Sequence, residues 1–252
     1  MLHLNFTIKE LCEMFEVSLK NGHLYFFPSS RHIICKDEID FEVSLCPGLK
    51  HKPRDSSAGN PFLPPDPNLI ITSDERHVLL FNKYCVERCH LLLITKAFER
   101  QDEMFSLETF GTVFEVLKYL NSVAIPNSNF KESMKWIAFY NSDKIAGASQ
   151  PHRHFQFIPL SKDLPITDPF LVQAESPSAL FASLKQRILS SSYNLILADP
   201  GTCLLIARKA EHITDDLSAN ALVFAGRILV RSEAQLDALR MVDSVLNPLL
   251  YY

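Results

Sequence analysis

"NSDKIAGASQPHRHFQFIPL", Asn141 to Leu160, sets a run of small and polar residues directly before a segment in which His152, His154 and Gln156 stand at alternate positions. In an extended strand, side chains two apart share a face. These three therefore line one side of "PHRHFQFIP", while Arg153, Phe155 and Phe157 line the other. The alternation and the aromatic residues favour a strand. "KWIAFY" (Lys135 to Tyr140) is a second strand candidate just upstream, so the polar loop connects two strands.

The neighbouring segments extend this pattern. "HVLLF" (His77 to Phe81) and "HLLLIT" (His90 to Thr95) read as strands joined by the polar connection "NKYCVERC". Phe110, Val113, Phe114, Leu117 and Leu120 recur at three and four residues, which predicts an amphipathic helix ended by Asn121 and Pro126. Nearer the start, "GHLYFFPS" and "DFEVSL" are strand-like. Cys46 to Leu69, crowded with prolines and turn formers, is a long irregular excursion. In the C-terminal third, Ser176 caps a helix whose first residue is Pro177 and whose stripe is Leu180, Leu184 and Ile188. A hairpin follows, "YNLILA", Asp199-Pro200-Gly201, "CLLIARK". "LVFAGRILVR" reads as a further strand. "SEAQ" (Ser232 to Gln235) is a capping box for a last helix carrying Leu236, Leu239, Val242 and Leu246, stopped by Asn247-Pro248. Strands joined mostly by hairpins, with helices between groups, predict the α+β class, with an antiparallel sheet and flanking helices. Residues 1–165 form the expected N-terminal catalytic region and 166–252 a C-terminal region packed on it, together one compact unit. "LLITKAFE" (Leu92 to Glu99) resembles "LLIARKAE" (Leu204 to Glu211), which points to an internal duplication.

Composition removes several classes. A hydrophobic fraction of 47% and a charged fraction of 21% over 252 residues are those of a globular protein, so disordered and fibrous classes drop out. The net charge of −4 gives no global basic field for nucleic acid or an anionic membrane, so a phosphate ligand must be held by a local cluster. The opening "MLHLNFTIKELCEMF" does not read as a signal peptide, and no apolar run reaches the roughly 20 residues of a membrane span. A cytoplasmic location is expected. The six cysteines are scattered, which predicts reduced, mostly buried thiols. Only "CVERCH" (Cys85 to His90) has metal-like spacing; its second half reads as a buried strand and no second ligand pair appears, so no metal is expected.

An isolated HxH is compatible with histidines that serve only the strand. A metal site on one strand face is a further reading, but no carboxylate completes the set and glutamine is a poor ligand. The loop changes the balance. A neutral imidazole attacks phosphorus competently once its other nitrogen is held by an acceptor, and loop N–H groups cradle phosphate oxygens. The combination suits phosphoryl or nucleotidyl transfer.

"AGASQPHRHFQ" (Ala146 to Gln156) resembles the active-site motif of the ATP adenylyltransferases, or diadenosine tetraphosphate phosphorylases, of the histidine-triad superfamily and its galactose-1-phosphate uridylyltransferase branch. "LKHKP", "NPFLPPD", "LFNKY", "HLLLITKAFERQ" and "NALVFAGRILVR" resemble further family segments in the family's order. The resemblance implies a histidine-triad-like sheet. His154 would be the nucleophile that carries a nucleotidyl group, His152 would support it through its backbone carbonyl, and Gln156 would donate to the phosphate. Hydrolases of the superfamily have a third histidine where Gln156 stands, and glutamine supplies no proton to a basic leaving group. That favours phosphorolysis of diadenosine tetraphosphate to ATP and ADP by inorganic phosphate, reversibly, with adenylyl sulfate as a further donor. By the same resemblance Asn141, Gly147, Ala148, Ser149 and Gln150 form the phosphate-contacting loop. Lys52, Asn82 and Lys83 bind nucleotide or polyphosphate. Asn220, Ala221, Leu222 and Arg231 form a nucleotide-contacting patch, to which Arg227 also belongs. Arg231 stands where the family usually has lysine and Arg227 where it has an apolar residue, and "LIARK" lacks an expected proline. No cofactor is implied beyond magnesium accompanying the polyphosphate. Two competing readings are a nucleotide sensor without turnover, disfavoured by the intact His152, His154, Gln156 and Ser149, and a hexose-1-phosphate uridylyltransferase-like enzyme, disfavoured by "NPFLPPD" and "NALVFAG".

Overall fold

The computed structural model describes residues 1–51, 59–123, 135–160, 164–165, 170–188, 192–199 and 202–251. Lys52, Pro126 and the turn at residues 200–201 lie outside the described residues.

The chain opens on helix α1 (Ile8–Lys20). Thr7 Oγ1 accepts from the N–H of Glu10 at 3.1 Å and the Glu10 carboxylate accepts from the N–H of Thr7 at 2.7 Å, a reciprocal cap that satisfies two otherwise unpaired donors. Its buried stripe is Ile8, Leu11, Phe15 and Ser18. Strands β1 (Tyr25–Phe26), β2 (Ser30–Lys36) and β3 (Ile39–Leu45) follow. After a 3-10 turn at Pro47–His51 and irregular chain come β4 (Ile70–Ser73), β5 (His77–Phe81), β6 (Tyr84–Cys85) and β7 (Leu91–Thr95). Helix α2 (Leu107–Val123) leads to β8 (Lys135–Asn141), β9 (His154–Leu160) and β10 (Leu171–Gln173). Helix α3 (Pro177–Arg187) precedes β11 (Tyr193–Asp199), β12 (Thr202–Ala207), β13 (His212–Thr214) and β14 (Leu217–Ser218). Strand β15 (Arg227–Val230) and helix α4 (Glu233–Met241) complete the order.

Eight strands form one antiparallel sheet in the order β10-β12-β11-β8-β9-β7-β5-β4, and β15-β3-β2 form a second. The α+β expectation agrees with this sheet and its four helices. Strand β11 pairs with β8, so the sheet runs without a break across residue 165. Alternation splits the side chains between two cores. Trp136, Ala138, Tyr140, Phe155 and Phe157 pack toward α1, α2 and α3, whereas Ile137, Phe139, Ile158 and Leu160 pack with Phe41, Val43, Phe224 and Leu236 beneath the second sheet. Among the described residues no helix is long and apolar enough to cross a membrane.

Four expectations change. Helix α2 runs past Asn121 to Val123. Only the second half of "LVFAGRILVR" is a strand. Ala221–Ala225 is a 3-10 turn, capped by Asn220 and closed by Gly226 at φ 73°, where a residue with a Cβ is strained. The last helix is capped by Ser232, whose Oγ accepts from the N–H of Gln235. Gln235 Oε1, however, accepts from the N–H of Arg231 at 2.7 Å, so the reciprocal half of the capping box is not made. The helix also ends at Met241 rather than at Asn247-Pro248: Val242 is extended, and the N–H groups of Val245 and Leu246 donate instead to the Asp37 carboxylate.

Phe155 stands at the centre of the α2 side, with ring centroids 5.1 Å from Phe105 and 4.5 Å from Tyr140. Phe155→Ala is expected to cost about 3–5 kcal/mol in urea denaturation, through lost burial plus the cavity left behind.

Candidate active site

One row across the large sheet explains where a polar site can form. Register places Leu80, Leu92, Gln156, Phe139, Ile196 and Leu204 side by side on successive strands. Gln156 is the one polar side chain among them. The β5–β7–β9 end of this face is the floor of a cleft of about 850 Å³. Leu80, Leu92, His154 and Gln156 form the floor; Asn82, Lys83 and Tyr84 stand on one side and Ser149 and Gln150 on another; Gly59 to Pro64 close it. A smaller cavity behind the loop, about 290 Å³, shares Ser149 and Gln150 and adds Arg100 and Lys144.

His154 is 3% exposed, and three contacts fix its position. Its ring Nδ1 lies 2.8 Å from the carbonyl oxygen of His152, so Nδ1 carries the proton and Nε2 keeps the lone pair. Gln101, from the segment after β7, accepts from the N–H of His154 at 2.8 Å and donates to its carbonyl at 3.2 Å. Burial pushes the His154 pKa down to about 4, so the imidazole is neutral across the physiological range.

His152 sits just before β9, bridged to Arg100. Its ring is turned away from the floor of the cleft. Nε2 donates to the Thr95 carbonyl at 2.8 Å, and Nδ1 accepts from Asn60 Nδ2 at 2.7 Å. Asn60 Oδ1 in turn accepts from the N–H of Phe62, whose ring lies 5.4 Å from that of His154. The side chain of His152 thus clamps the proline-rich segment over the site while its carbonyl orients His154. Burial lowers the His152 pKa as well.

Gln156 Oε1 lies 3.0 Å from His90 Nε2, which leaves its Nε2 as the end without a protein partner among the described residues. His90 Nδ1 lies 3.2 Å from Asn82 Nδ2, and Asn82 Oδ1 accepts from the N–H of Tyr84 at 3.1 Å. Asn82 lines the cleft, yet both ends of its amide are already engaged.

The loop between β8 and β9 is anchored from below. Asn141 is 1% exposed and is not on the cavity wall: its Oδ1 accepts from Asn194 Nδ2 at 2.8 Å and from the N–H of Ala221 at 2.9 Å. Arg208, also 1% exposed, donates to Asn194 Oδ1 at 2.6 Å and to the carbonyls of Ala210, Ala219 and Ala146 at 2.8, 3.3 and 3.4 Å. Burial draws its pKa down to about 10, which leaves it charged at neutral pH. Gly147 rests directly on the C-terminal patch: at φ 89°, a Cβ there would lie 2.5 Å from the Ala219 carbonyl and 2.7 Å from Asn220 Cα. Ala148 faces the smaller cavity.

The residues expected in the C-terminal patch are not on the cleft wall. Asn220 spends its Oδ1 capping the N–H of Leu222 at 3.0 Å, Ala221 is fully buried and Leu222 packs on the second core. Arg227 is taken up by carboxylates, 2.9 Å from Glu87 and 3.4 Å from Glu42, because β15 lies beside β3 and brings it against them. Arg231 is exposed, and its backbone N–H is held by Gln235. Of these, Asn220 and Ala221 support the loop from the far side, through Gly147 and Asn141. The expected set thus separates into a group at the cleft (His154, Gln156, Asn82, Lys83, Ser149, Gln150), a group that holds the loop in place (Asn141, Gly147, Asn220, Ala221), and Arg227 and Arg231, which are engaged elsewhere. His90, Asn60, Gln101, Asn194 and Arg208 escaped the sequence reading. No short motif links them, since the contacts that matter (His90 to Gln156, Asn60 to His152, Gln101 to His154, Arg208 to Asn194) cross between strands or loops. The cysteine spacing around His90 points the wrong way: Cys85 Sγ donates to the Asn82 carbonyl and Cys89 Sγ lies 3.7 Å from Cys12 Sγ.

Residues 3–171 match the family model of the Ap4A phosphorylase N-terminal domain, and residues 149–250 that of the ATP adenylyltransferase C-terminal domain. The two matches overlap over 149–171, which includes His154 and Gln156. A curated relative from Saccharomyces cerevisiae, diadenosine 5',5'''-P1,P4-tetraphosphate phosphorylase 2, is 28% identical over 172 residues, 64% of this chain; the match spans 52% of that relative's own length. Protein APA1 of the same yeast is 20% identical over 95% of this chain and 91% of the relative. The crystal structure of yeast Ap4A phosphorylase Apa2 in complex with AMP superposes with a TM-score of 0.80 at 22% identity, covering 99% of this chain and 98% of that one. The complex of the yeast protein with Ap4A gives 0.77 at 23%, covering 98% and 97%. At such identities the structural likeness establishes the fold.

Two outcomes follow from the geometry. Gly147→Ala is expected to destabilise by about 3 kcal/mol in denaturant titrations, since positive φ and the clash with residues 219 and 220 add. His154 and His90, both pushed down to about 4 by burial, bind fewer protons folded than unfolded between that value and about 6.5. Their contribution to stability is therefore complete above pH 6.5 and is lost as pH falls through about 4. The urea midpoint should drop over this interval, and His154→Asn should flatten the drop.

Proposed function

The chain belongs to the Ap4A phosphorylase family, and on that premise we propose that it is a nucleotidyltransferase that phosphorolyses diadenosine tetraphosphate to ATP and ADP through adenylyl-His154. The observation that carries this reading is the His154 ring, neutral and buried at the cleft floor, with Nδ1–H held by the His152 carbonyl and the Nε2 lone pair unengaged among the described residues.

In the first step His154 Nε2 forms a bond to an α-phosphorus and the bond from that phosphorus to the bridging oxygen breaks. ATP leaves as an anion that needs no proton. The Nδ1 proton stays on the ring throughout, its bond to the His152 carbonyl strengthening as positive charge develops. In the second step an oxygen of inorganic phosphate attacks the same phosphorus, the P–N bond breaks and ADP departs. With hydrogen phosphate as the acceptor, one proton is released to solvent. Gln156 Nε2 donates to a non-bridging oxygen in both steps, and Ser149 and Gln150 face the polyphosphate. Lys83, on the wall opposite the loop, supplies charge. Asn141, Gly147, Asn220 and Ala221 act by holding the loop, of which Ala148 is a part. Adenylyl sulfate fits as an alternative donor, because sulfate too leaves without a proton. Magnesium would accompany the polyphosphate rather than generate a nucleophile.

The histidine-triad-like reading of the sheet rests on β8, the loop and β9 standing beside the β5–β7 hairpin. The duplication reading rests on the similar segments at β7 and β12. The division at residue 165 is one of sequence, with both regions in a single sheet and a cytoplasmic setting for the nucleotide substrates.

Incubation with diadenosine tetraphosphate should yield equal ATP and ADP only when inorganic phosphate is supplied; AMP formed without phosphate would make it a hydrolase. His154→Ala should abolish covalent labelling by α-labelled substrate, and retained turnover in that variant would sink the mechanism. Gln156→Ala should slow transfer about 100-fold, the scale of one lost oxyanion donor, with folding intact.

A further inference from the structure

The Tyr84, Asn82, His90 and Gln156 contacts form a chain whose direction is set at one end by a group that cannot be reversed. A backbone N–H only donates. Because the Tyr84 N–H points at the Asn82 side chain, the end that it meets must be the carbonyl oxygen, and Asn82 Nδ2 must face His90. His90 Nδ1 then has to accept, which puts the ring proton on Nε2, and Nε2 has to donate to Gln156 Oε1. With its oxygen so occupied, Gln156 can offer the cleft only its N–H groups.

We propose that His90 is a positioning residue that, with Asn82, locks the Gln156 amide with its donor end toward the phosphate. The inference rests on the reading of Gln156 as a phosphate donor and deepens it. A glutamine amide is nearly symmetric in shape, and nothing in its own packing row distinguishes oxygen from nitrogen: Leu92 and Phe139 flank it on the neighbouring strands. Turned over, it would aim a carbonyl oxygen at an anionic phosphate and repel it. The arrangement also assigns a different task to Asn82, whose amide serves His90 at one end and Tyr84 at the other. Burial, which pushes the His90 pKa down to about 4, keeps Nδ1 unprotonated and the relay in one direction at neutral pH.

The test is a double-mutant cycle on the full chain, reading kcat and KM for diadenosine tetraphosphate phosphorolysis with a thermal melt for each variant. His90→Phe keeps a ring but removes both nitrogens; His90→Met serves the same purpose should the phenylalanine variant fail to fold. His90→Gln restores a donor facing Gln156 and an acceptor facing Asn82. We expect the donor-less variants to lose about 10- to 100-fold in kcat with KM within about twofold, His90→Gln to recover most of that loss, and His90 substitutions to have no further effect once Gln156 is alanine. A His90→Phe or His90→Met loss of equal size in the Gln156→Ala background, or no recovery with His90→Gln, would overturn the relay. Gln156→Ala at wild-type rate would overturn the reading of Gln156 itself, whereas a slow Gln156→Ala beside a fully active His90→Phe would overturn the relay alone.

Discussion

A single backbone carbonyl, that of His152, decides what His154 can be. By accepting a hydrogen bond from Nδ1–H it leaves the Nε2 lone pair toward the cleft, and a buried imidazole so held stays neutral. The surrounding structure fixes where that carbonyl points. Gln101 grips the backbone of His154 from the segment after β7, and Thr95 and Asn60 grip the two ring nitrogens of His152 from opposite sides. The polar groups here are buried deeply enough that leaving any one unpaired costs on the order of 1–3 kcal/mol, so the network has few alternative states.

The second constraint is the buried guanidinium of Arg208. Its partners are carbonyl oxygens and an amide rather than a carboxylate: the Ala146 carbonyl belongs to the β8–β9 loop, that of Ala219 to the segment before the 3-10 turn at residues 221–225, and that of Ala210 to its own segment after β12. Charge thus tethers the loop to the C-terminal third, and Gly147 allows the approach to be close. Together these contacts explain how residues remote from the cleft act on its loop, and why a positively charged side chain is found where the sequence looks apolar.

Much of this was legible in the chain. Short continuous apolar runs located β5, β7 and β8, which are buried on both faces, alternation located β9, and the Ser176-Pro177 pair located α3. Helix α1 was missed although its signal is present: Thr7 and Glu10 spell its cap, and Ile8, Leu11 and Phe15 recur at three and four residues. Strand β2 was missed because it lies at the edge of the second sheet with most residues exposed. In the site, residue type and spacing gave His154 and Gln156, which face one way on one strand. They did not give the separation between wall and support. Asn141 and Asn82 have the same side chain and both come from loop-adjacent positions, yet one is sealed beneath the loop and the other lines the cleft; the difference lies in partners about 50 and 80 residues away for Asn141 and eight away for Asn82.

The parallel pairing of β15 with β3 joins Arg227–Val230 to Glu42–Leu45, and the Asp37 carboxylate holds residues 245 and 246. Nearly the whole chain lies between these partners. During synthesis the β2–β3 hairpin must therefore wait, with one edge open, until residues 227–230 have left the ribosome. Contacts of such long sequence separation close slowly. A nascent chain stopped short of residue 227 would carry His154 and Gln156 but lack the strand that covers that edge, so termination there would give a sticky intermediate rather than a smaller folded protein.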